Sequence, residues 1–542
     1  MELNTISVDD RKESAIVDSV SMDDVLVKFK LFGKYHCVLV LLIILGNAFN
    51  CFSSTNYVFA VEKDSYRCKD FGSNNATCDS FNSSYRCSEW EYDNPNSFVA
   101  EFQLACQEWK RTLIGTAHNI GYMFGLILIG PISDRIGRKS TFIMTIVAGA
   151  VVGLVKSFVM RYWVYVALEF LEAAVGDAFS PMFTLAIEMV ARENRVAFIN
   201  FCNLGYPLGG VVLPVIAWLF PYWRSFIRVI YVPALLFCVY KYALDESPRW
   251  LLAKGRKEEA IAVLKKAAKM NKIDIEDAVL EKLTCDEQEQ NTRINLTTLL
   301  KNTLASRTLL QRFAICTIWW ITSTFVSYGM IINSVTLQGD KYWNFSVMFL
   351  IDLPGVFLNM FILSVFKRKY PLMSYFCVGA VLCLTQPFVP THLPWLSTTL
   401  YIFGKEMNSF YFNTTYLFTS ELFPTYTRNS MQALCSSLGR IGSILAPQTP
   451  LLMAYWSGIP AVLFGGMALF AAILTCFVPD TANDDLPETI DQAEGIGNKS
   501  AKLTDNVPEQ FREEKNNIES TSSLRSRGIK PSSKAISAIS SA

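Results

Sequence analysis

Charge is scarce in this chain. Asp, Glu, Lys and Arg make up 18% of its 542 residues, against about 25% in soluble proteins. They nearly cancel, leaving a formal charge of +1, so there is no field to draw in a nucleic acid or an acidic partner. Histidine is scarcer still: His36, His118 and His392 stand in unrelated stretches. No HExxH, GxSxG or paired-cysteine metal motif occurs, and no P-loop. Metal hydrolysis, serine chemistry and ATP-driven pumping therefore have no residues to run on, and neither an enzyme, a metal site nor a resident cofactor is expected. A cleavable signal peptide is not expected either. The first 34 residues are polar and include Asp9, Asp10, Asp23 and Asp24, where a signal peptide would open basic and then turn apolar.

Apolar residues, by contrast, reach 51% with a mean hydropathy of +0.26. They come in runs without a single charge: His36–Val61, Thr112–Ser133, Val196–Trp223 and Phe313–Gly339. Each is long enough to cross a hydrocarbon core of about 30 Å, which takes about 20 helical residues. Tyr370–Gly404 is uncharged over 35 residues and is read as two spans, broken at QPFVPTHLP. Ile441–Pro479 is read the same way, broken at Ser457-Gly458-Ile459-Pro460. Further spans, with isolated charges, are expected around 141–160, 162–189, 224–244, 343–366 and 405–420, for about a dozen in all. The fold class expected is an all-α membrane protein in a lipid bilayer. A seven-helix receptor is excluded by the count, and no selectivity-filter sequence is present.

Basic residues orient the spans. Lys28, Lys30 and Lys34 precede the first, and the loops then predicted inside carry Asp134-Arg135-Ile136-Gly137-Arg138-Lys139, Arg192 with Arg195, and Lys367-Arg368-Lys369. The positive-inside rule thus puts both termini in the cytoplasm. The expected organisation is a cytoplasmic tail over 1–34, span 1 over 35–60, an outer loop over 61–110, spans 2–6 over 111–244, a cytoplasmic helical loop over 245–310, spans 7–12 over 311–479 and a disordered tail over 480–542. The outer loop holds Cys68, Cys78, Cys87 and Cys106, read as two disulfides with three possible connectivities. It also holds glycosylation acceptors at Asn75 and Asn82. In the inner loop, Ile261, Leu264 and Ala268 share one face of a strong helix former. The halves on either side resemble each other: Glu188 closes span 4 as Glu421 closes span 10, and Asp245 follows span 6 as Asp480 follows span 12. Two repeated bundles with a site between them are a transporter plan.

The loop GPISDRIGRKS, Gly130–Ser140, joins spans 2 and 3. Gly130 is read as allowing close helix packing, and Asp134 as capping span 3 and complementing its dipole. Gly130, Asp134, Arg135, Gly137 and Arg138 resemble the signature of the major facilitator superfamily. CSEWEYDNPNSFVAEFQLACQEWK in the outer loop, ESPRWLLAKGR from Glu246, ELFPTYTRN from Glu421 and LPETIDQ over 486–492 are similar to stretches of the organic cation, carnitine and organic anion transporter family. The resemblance covers roughly residues 30 to 492. It implies two six-helix bundles working by alternating access at the plasma membrane on a small organic ion. An organic cation or carnitine-like zwitterion is the substrate class expected; an organic anion transporter of the same fold and a transport-dead sensor are the rival readings, and oligomeric state is left open.

Charges inside spans mark the expected site, because a charge at mid-bilayer costs about 2.5–3.5 kcal/mol on insertion scales. Arg440 sits among Ser436, Ser437, Gly439, Gly442 and Ser443, with room for a bidentate grip on a substrate carboxylate. An internal salt bridge is its structural alternative. In the family this position resembles the one that is Asp in cation carriers and Arg in anion or carnitine carriers. Asp352 matches an acidic family position and is read either as a contact for a substrate cation or as the neutraliser of Arg440. Val356 stands where anion carriers often have Lys, which disfavours a pure organic anion. Lys405, with Glu406, is expected to begin span 10 near the outer interface, where it is read either as a substrate contact or as a structural lysine that snorkels. Tyr122, Trp218, Trp319, Trp320 and Tyr328 are the aromatics expected to offer cation–π contact, Tyr328 through FVSYGM. Glu169, Glu172 and Asp177 in span 4 are expected either to take a coupling sodium ion or proton, or to pair with Lys156 or Arg228. Glu169 replaces an arginine common in the family. Asp134, Arg135, Arg138, Glu188, Arg192, Glu421 and Arg428 are expected to form an inner gate of ion pairs.

Overall fold

A computed structural model describes residues 22–29, 33–69, 87, 89–283, 305–366, 368–390, 392–481, 487 and 490–496. Helix dominates, since backbone groups in hydrocarbon must be satisfied within their own segment. Nine helices among the described residues are long and apolar enough to cross a membrane: α1 (Lys34–Ala60), α2 (Glu108–Ile136), α3 (Arg138–Lys156), α4 (Tyr162–Glu188), α5 (Arg192–Leu219), α6 (Trp223–Ala243), α7 (Arg307–Thr336), α8 (Lys341–Val365) and α9 (Lys369–Phe388). The more polar α10 (Pro394–Glu421) and α11 (Thr425–Leu445) and the shorter α12 (Ile459–Thr475) complete the expected twelve. The stretch after QPFVPTHLP and the stretch over 405–420 are one helix, because Pro394 starts α10 at its first turn. Lys405 and Glu406 therefore stand inside α10, not at its beginning.

The helices pair in a pattern that repeats. In the first half α1 packs on α5, α2 on α4 and α3 on α6; in the second, α7 packs on α11, α8 on α10 and α9 on α12. Exchanging the halves maps one set onto the other. The interface between them obeys the same exchange, with α2 against α11 and α5 against α8. Small residues permit these approaches. A Cβ on Gly121 would sit 2.2 Å from the Phe170 carbonyl oxygen, and one on Gly442 would sit 2.3 Å from that of Ile321. Gly130, expected to serve such packing, has nothing within 4 Å of its Cβ position.

One span is discontinuous. α4 stops at Val175 and restarts at Phe179. Asp177 lies in the break, and its Oδ1 accepts the Phe179 N–H at 3.1 Å. This carboxylate sits at a helix start in the middle of a span, the position that favours negative charge.

The two ends of the bundle differ. The end bearing the Gly130–Ser140 loop is basic and carries the short helices Pro248–Ala253 and Lys257–Asn271, the latter burying Leu264 and Ala268 as its spacing predicts. The helix Met22–Val27 is clamped there by Asp23, 3.0 Å from Arg192 and 2.6 Å from Arg249. Burial alone would raise the Asp23 carboxyl, but Arg249, Arg192 and Arg195 hold it below the usual carboxylate range. At the opposite, loop end, β1 (Tyr66–Cys68) pairs antiparallel with β2 (Trp90–Tyr92), Arg67 facing Glu91. A disulfide joins Cys68 to Cys87, and Cys106 is disulfide-bonded too. Cys78, Asn75 and Asn82 lie outside the described residues.

Candidate functional site

A cavity of about 280 Å³ opens between the halves. Its walls come from α1, α2, α4, α5, α7, α8, α10 and α11, and none of its lining belongs to α3, α6, α9 or α12. The first half contributes uncharged groups, among them Asn47, Asn50, Ser54, Tyr122 and Tyr206. The second half contributes every charge: Asp352, Lys405, Glu406 and Arg440.

These four charges are not equivalent. Lys405, 3% exposed, is bonded to the Asp352 carboxylate, which also accepts from Ser409 Oγ at 3.0 Å. Its ammonium lies 4.9 Å from the centre of the Phe349 ring. Asp352 thus neutralises Lys405 and not Arg440, and Lys405 does not snorkel. Glu406, next along the chain and only 5% exposed, carries a carboxyl group that lies beside Asp352 and in the field of Lys405. A methyl group on Gly355 would collide with this carboxylate. Arg440 lies across the half interface with its guanidinium 4.6 Å from the centre of the Tyr122 ring. Tyr328 and Asp177 act on it electrostatically, yet no described carboxylate forms an ion pair with it, and its Nε is without a hydrogen-bond partner. One wall therefore presents a cation with no ion-pair partner among the described carboxylates, Arg440, and an acid, Glu406, set beside Asp352 and Lys405; buried charges of this kind usually face a cavity or a partner.

At the loop end a second cavity of about 550 Å³ is lined by Tyr57, Glu62, Glu108, Arg111, Thr112 and Pro447, among others. Here the halves are tied together. Lys341 Nζ lies 2.5 Å from Glu62, Phe59 packs at 4.9 Å on Phe345, and Gln448 bonds Thr112 at 3.2 Å and Thr116 at 2.6 Å.

The basic end is braced differently. Arg138 meets Glu188 at 3.2 Å and donates to the Ser133 carbonyl at 2.9 Å. Arg368 meets Glu421 at 3.0 Å and donates to the Leu363 carbonyl at 2.9 Å. The same brace is built twice, each time within one half. Arg368 was missed as a gating residue, though its place before α9 matches that of Arg138 at the start of α3. Asp134 pairs with Arg138 at 2.8 Å and does not cap α3. Glu246 does so, accepting the Arg138 and Lys139 N–H groups at 2.8 and 2.9 Å. Arg135 is exposed, Arg192 holds Asp23, and Arg428 lies half-buried in the field of Glu421. Glu421 also accepts from Thr481 at 2.7 Å. Glu421→Gln is expected to lower transport about tenfold at normal surface expression, the loss of roughly 1.4 kcal/mol of bracing. Unchanged uptake would remove the brace from the mechanism.

The remaining expected residues fall elsewhere. Trp218 is 64% exposed on the outside of the bundle, away from the cavity. Trp319 is stacked on Phe418 and Trp320 bonds Thr419, both as core. Glu169 and Glu172 are fully buried and bound to Lys156, while Asp177 lies apart from them. Glu406 was overlooked because an acid beside a lysine at a presumed membrane interface carries no signal until the helix is known to continue around both.

The sequence matches the sugar (and other) transporter family over residues 42–492. It is 30% identical over 393 residues to the organic cation transporter protein of Drosophila melanogaster, covering 70% of this chain and 71% of that protein. It is 30% identical over 381 residues to solute carrier family 22 member 3 of Rattus norvegicus (70% and 68%), and 29% identical over 382 residues to organic cation/carnitine transporter 2 of Homo sapiens (69% and 67%). Among solved structures, the inward-open xylose transporter XylE from E. coli superposes with a TM-score of 0.62 at 17% identity, covering 84% of this chain and 99% of that one.

Proposed function

Since this chain belongs to the sugar (and other) transporters of the major facilitator superfamily, and among them to the organic cation, carnitine and organic anion carriers, we propose that it carries small organic zwitterions of the carnitine class across the plasma membrane. It is a multi-pass membrane transporter and not an enzyme. The observation that carries the substrate reading is that one cavity holds both Arg440, which pairs with no described carboxylate, and the acidic group of Glu406 and Asp352 around Lys405. The cationic end of the substrate is held at Glu406, with Asp352 and the Phe349 ring nearby. Its carboxylate is held by Arg440, bidentate, with Tyr122 and Tyr328 around it. A pure anion finds Lys405 already neutralised by Asp352, which disfavours it. The two ends support alternating access. The halves are latched at the loop end, while the basic-end braces lie within each half, so the cavity here serves the basic side. We place that side, with both termini, in the cytoplasm.

Uptake of radiolabelled carnitine, tetraethylammonium and an aryl anion, each with and without sodium, tests this reading. Carnitine is expected to be carried best. Glu406→Gln is expected to lower carnitine and tetraethylammonium uptake by about ten- to a hundredfold at wild-type surface expression, the loss of a charged contact of roughly 1.5–3 kcal/mol. Preferred uptake of the aryl anion, or currents without accumulation of any of the three, would overturn it.

A further inference from the structure

A second set of buried charges lies on the far side of α1 from the central cavity, and transport of the substrate as described makes no use of it. Lys156 Nζ is 2.7 Å from Glu169 Oε2 and 2.5 Å from Glu172 Oε2, and all three residues are 0% exposed. His118 of α2 places Nδ1 2.9 Å from Glu169 Oε1. Ser53 of α1 donates to Glu172 Oε1 at 3.2 Å, and the Tyr231 hydroxyl of α6 donates to the same oxygen while accepting from Asn56 at 2.9 Å. The Tyr165 ring of α4 faces Lys156 at 5.5 Å. The nearest further charges on α6 are engaged elsewhere: Arg228 bonds Ser157, and Arg224 bonds Glu101.

Counting charges shows what is missing. The donors around Glu169 and Glu172 are those of two ionised carboxylates, and one lysine faces both. With His118 neutral the cluster holds a net negative charge out of reach of water, which is costly. A proton on His118 Nε2 gives an imidazolium beside Glu169 and brings the cluster to zero. Sodium is a poorer match, because the carboxylate oxygens are already occupied by N–H and O–H donors, and no metal-binding cluster of acids, histidines and cysteines occurs among the described residues.

The cluster touches residues that border both cavities. The His118 ring is 5.3 Å from the Tyr57 ring, and Tyr57 lines the loop-end cavity together with Gly115, one turn before His118 on α2. On that same helix, Thr112 and Thr116 make the Gln448 contacts that close the halves. On the other side Ser53 holds Glu172, while its neighbour Ser54 lines the substrate cavity. We propose that this cluster is a proton-binding site and that each turnover moves one proton, taken by His118 Nε2 from water in the loop-end cavity, along with the organic ion. The proposal rests on the transport reading above.

The full-length protein in proteoliposomes tests it, with carnitine, tetraethylammonium and the aryl anion as probes. Counterflow at symmetric pH reports transport alone; accumulation under a two-unit gradient, acid outside, reports coupling. One proton per substrate allows up to about a hundredfold accumulation, and about tenfold or more is expected for the wild type, with acidification of a lumenal pH dye on adding substrate. His118→Gln, and His118→Lys, which keeps the buried positive charge and so the fold, are both expected to retain counterflow and lose the gradient response. A wild type with counterflow but no gradient response and no dye signal, a response that follows sodium instead, or His118 variants with the wild-type pH profile would each overturn the proposal. Absence of counterflow in the wild type would overturn the transport reading instead.

Discussion

Arg440→Ala is expected to lower carnitine uptake by about ten- to a hundredfold while leaving tetraethylammonium uptake and surface expression near wild type. The size follows from the roughly 1.5–3 kcal/mol of a charge-assisted hydrogen bond, read at tenfold per 1.4 kcal/mol. The selectivity follows from geometry. Arg440 is not in an ion pair among the described residues; its neighbours are the hydroxyl-bearing rings of Tyr122, 4.6 Å away, and Tyr328, with Asp177 acting on it at a distance. Tetraethylammonium has no carboxylate for it to hold. Arg440→Lys keeps the charge but loses the planar fork, and is expected to fall between the two. Radiolabelled uptake normalised to biotinylated surface protein decides the matter. Equal loss of all three probes would make Arg440 a strut between the halves and not a substrate contact.

How far a sequence reveals such a site depends on what the membrane writes into it. Hydrocarbon thickness demands length and apolarity, so spans are legible one at a time, and even Pro394 and Ser457-Gly458 mark their breaks. The signature loop is legible because its residues are neighbours in the chain. Partnership is not. His118 and Glu169 are 51 positions apart, and Lys405 and Asp352 are 53. Nothing in the local pattern distinguishes Asp352 held by Lys405 from Asp352 holding Arg440. Glu246 caps α3 from 107 and 108 positions away, where Asp134 was the nearer and plainer candidate. Lys156 could be named from the sequence only as one of two alternatives, beside Arg228, and it is the one that pairs with Glu169 and Glu172. The internal repeat is the signal that was underused. Setting Arg138 against Arg368, as Glu188 was set against Glu421, would have found the second brace without any coordinates. Trp218 failed for a related reason: an aromatic near a span's end satisfies a lipid-facing belt as well as a cavity, and only the helix's rotation decides.

Asp352→Asn is expected to remove most of the folded protein from the cell surface. Lys405 is 3% exposed and its ammonium has Asp352 as its counter-charge, so the substitution leaves a buried cation uncompensated, at a cost of roughly 3–5 kcal/mol. Glu406 is not expected to rescue it, because it acts on Lys405 only at a distance, without a salt bridge, and its carboxyl group stands over Gly355. Lys405→Met alone is expected to fail in the opposite sense, leaving Asp352 and Glu406 as neighbouring acids with no cation between them. The double variant Asp352→Asn with Lys405→Met removes both charges. Replacing a buried pair by uncharged groups of similar volume is often close to neutral, so surface expression is expected to return. With Glu406 still in the cavity, tetraethylammonium uptake is expected to return with it. Surface biotinylation and uptake on the two single variants and the double separate the possibilities. A double variant that reaches the surface but carries no cation would move the cation contact from Glu406 to Asp352. A double variant as poorly expressed as the singles would mean that Ser409 and the Met348 carbonyl, which also hold this pair in place, matter more to the fold than the charges themselves.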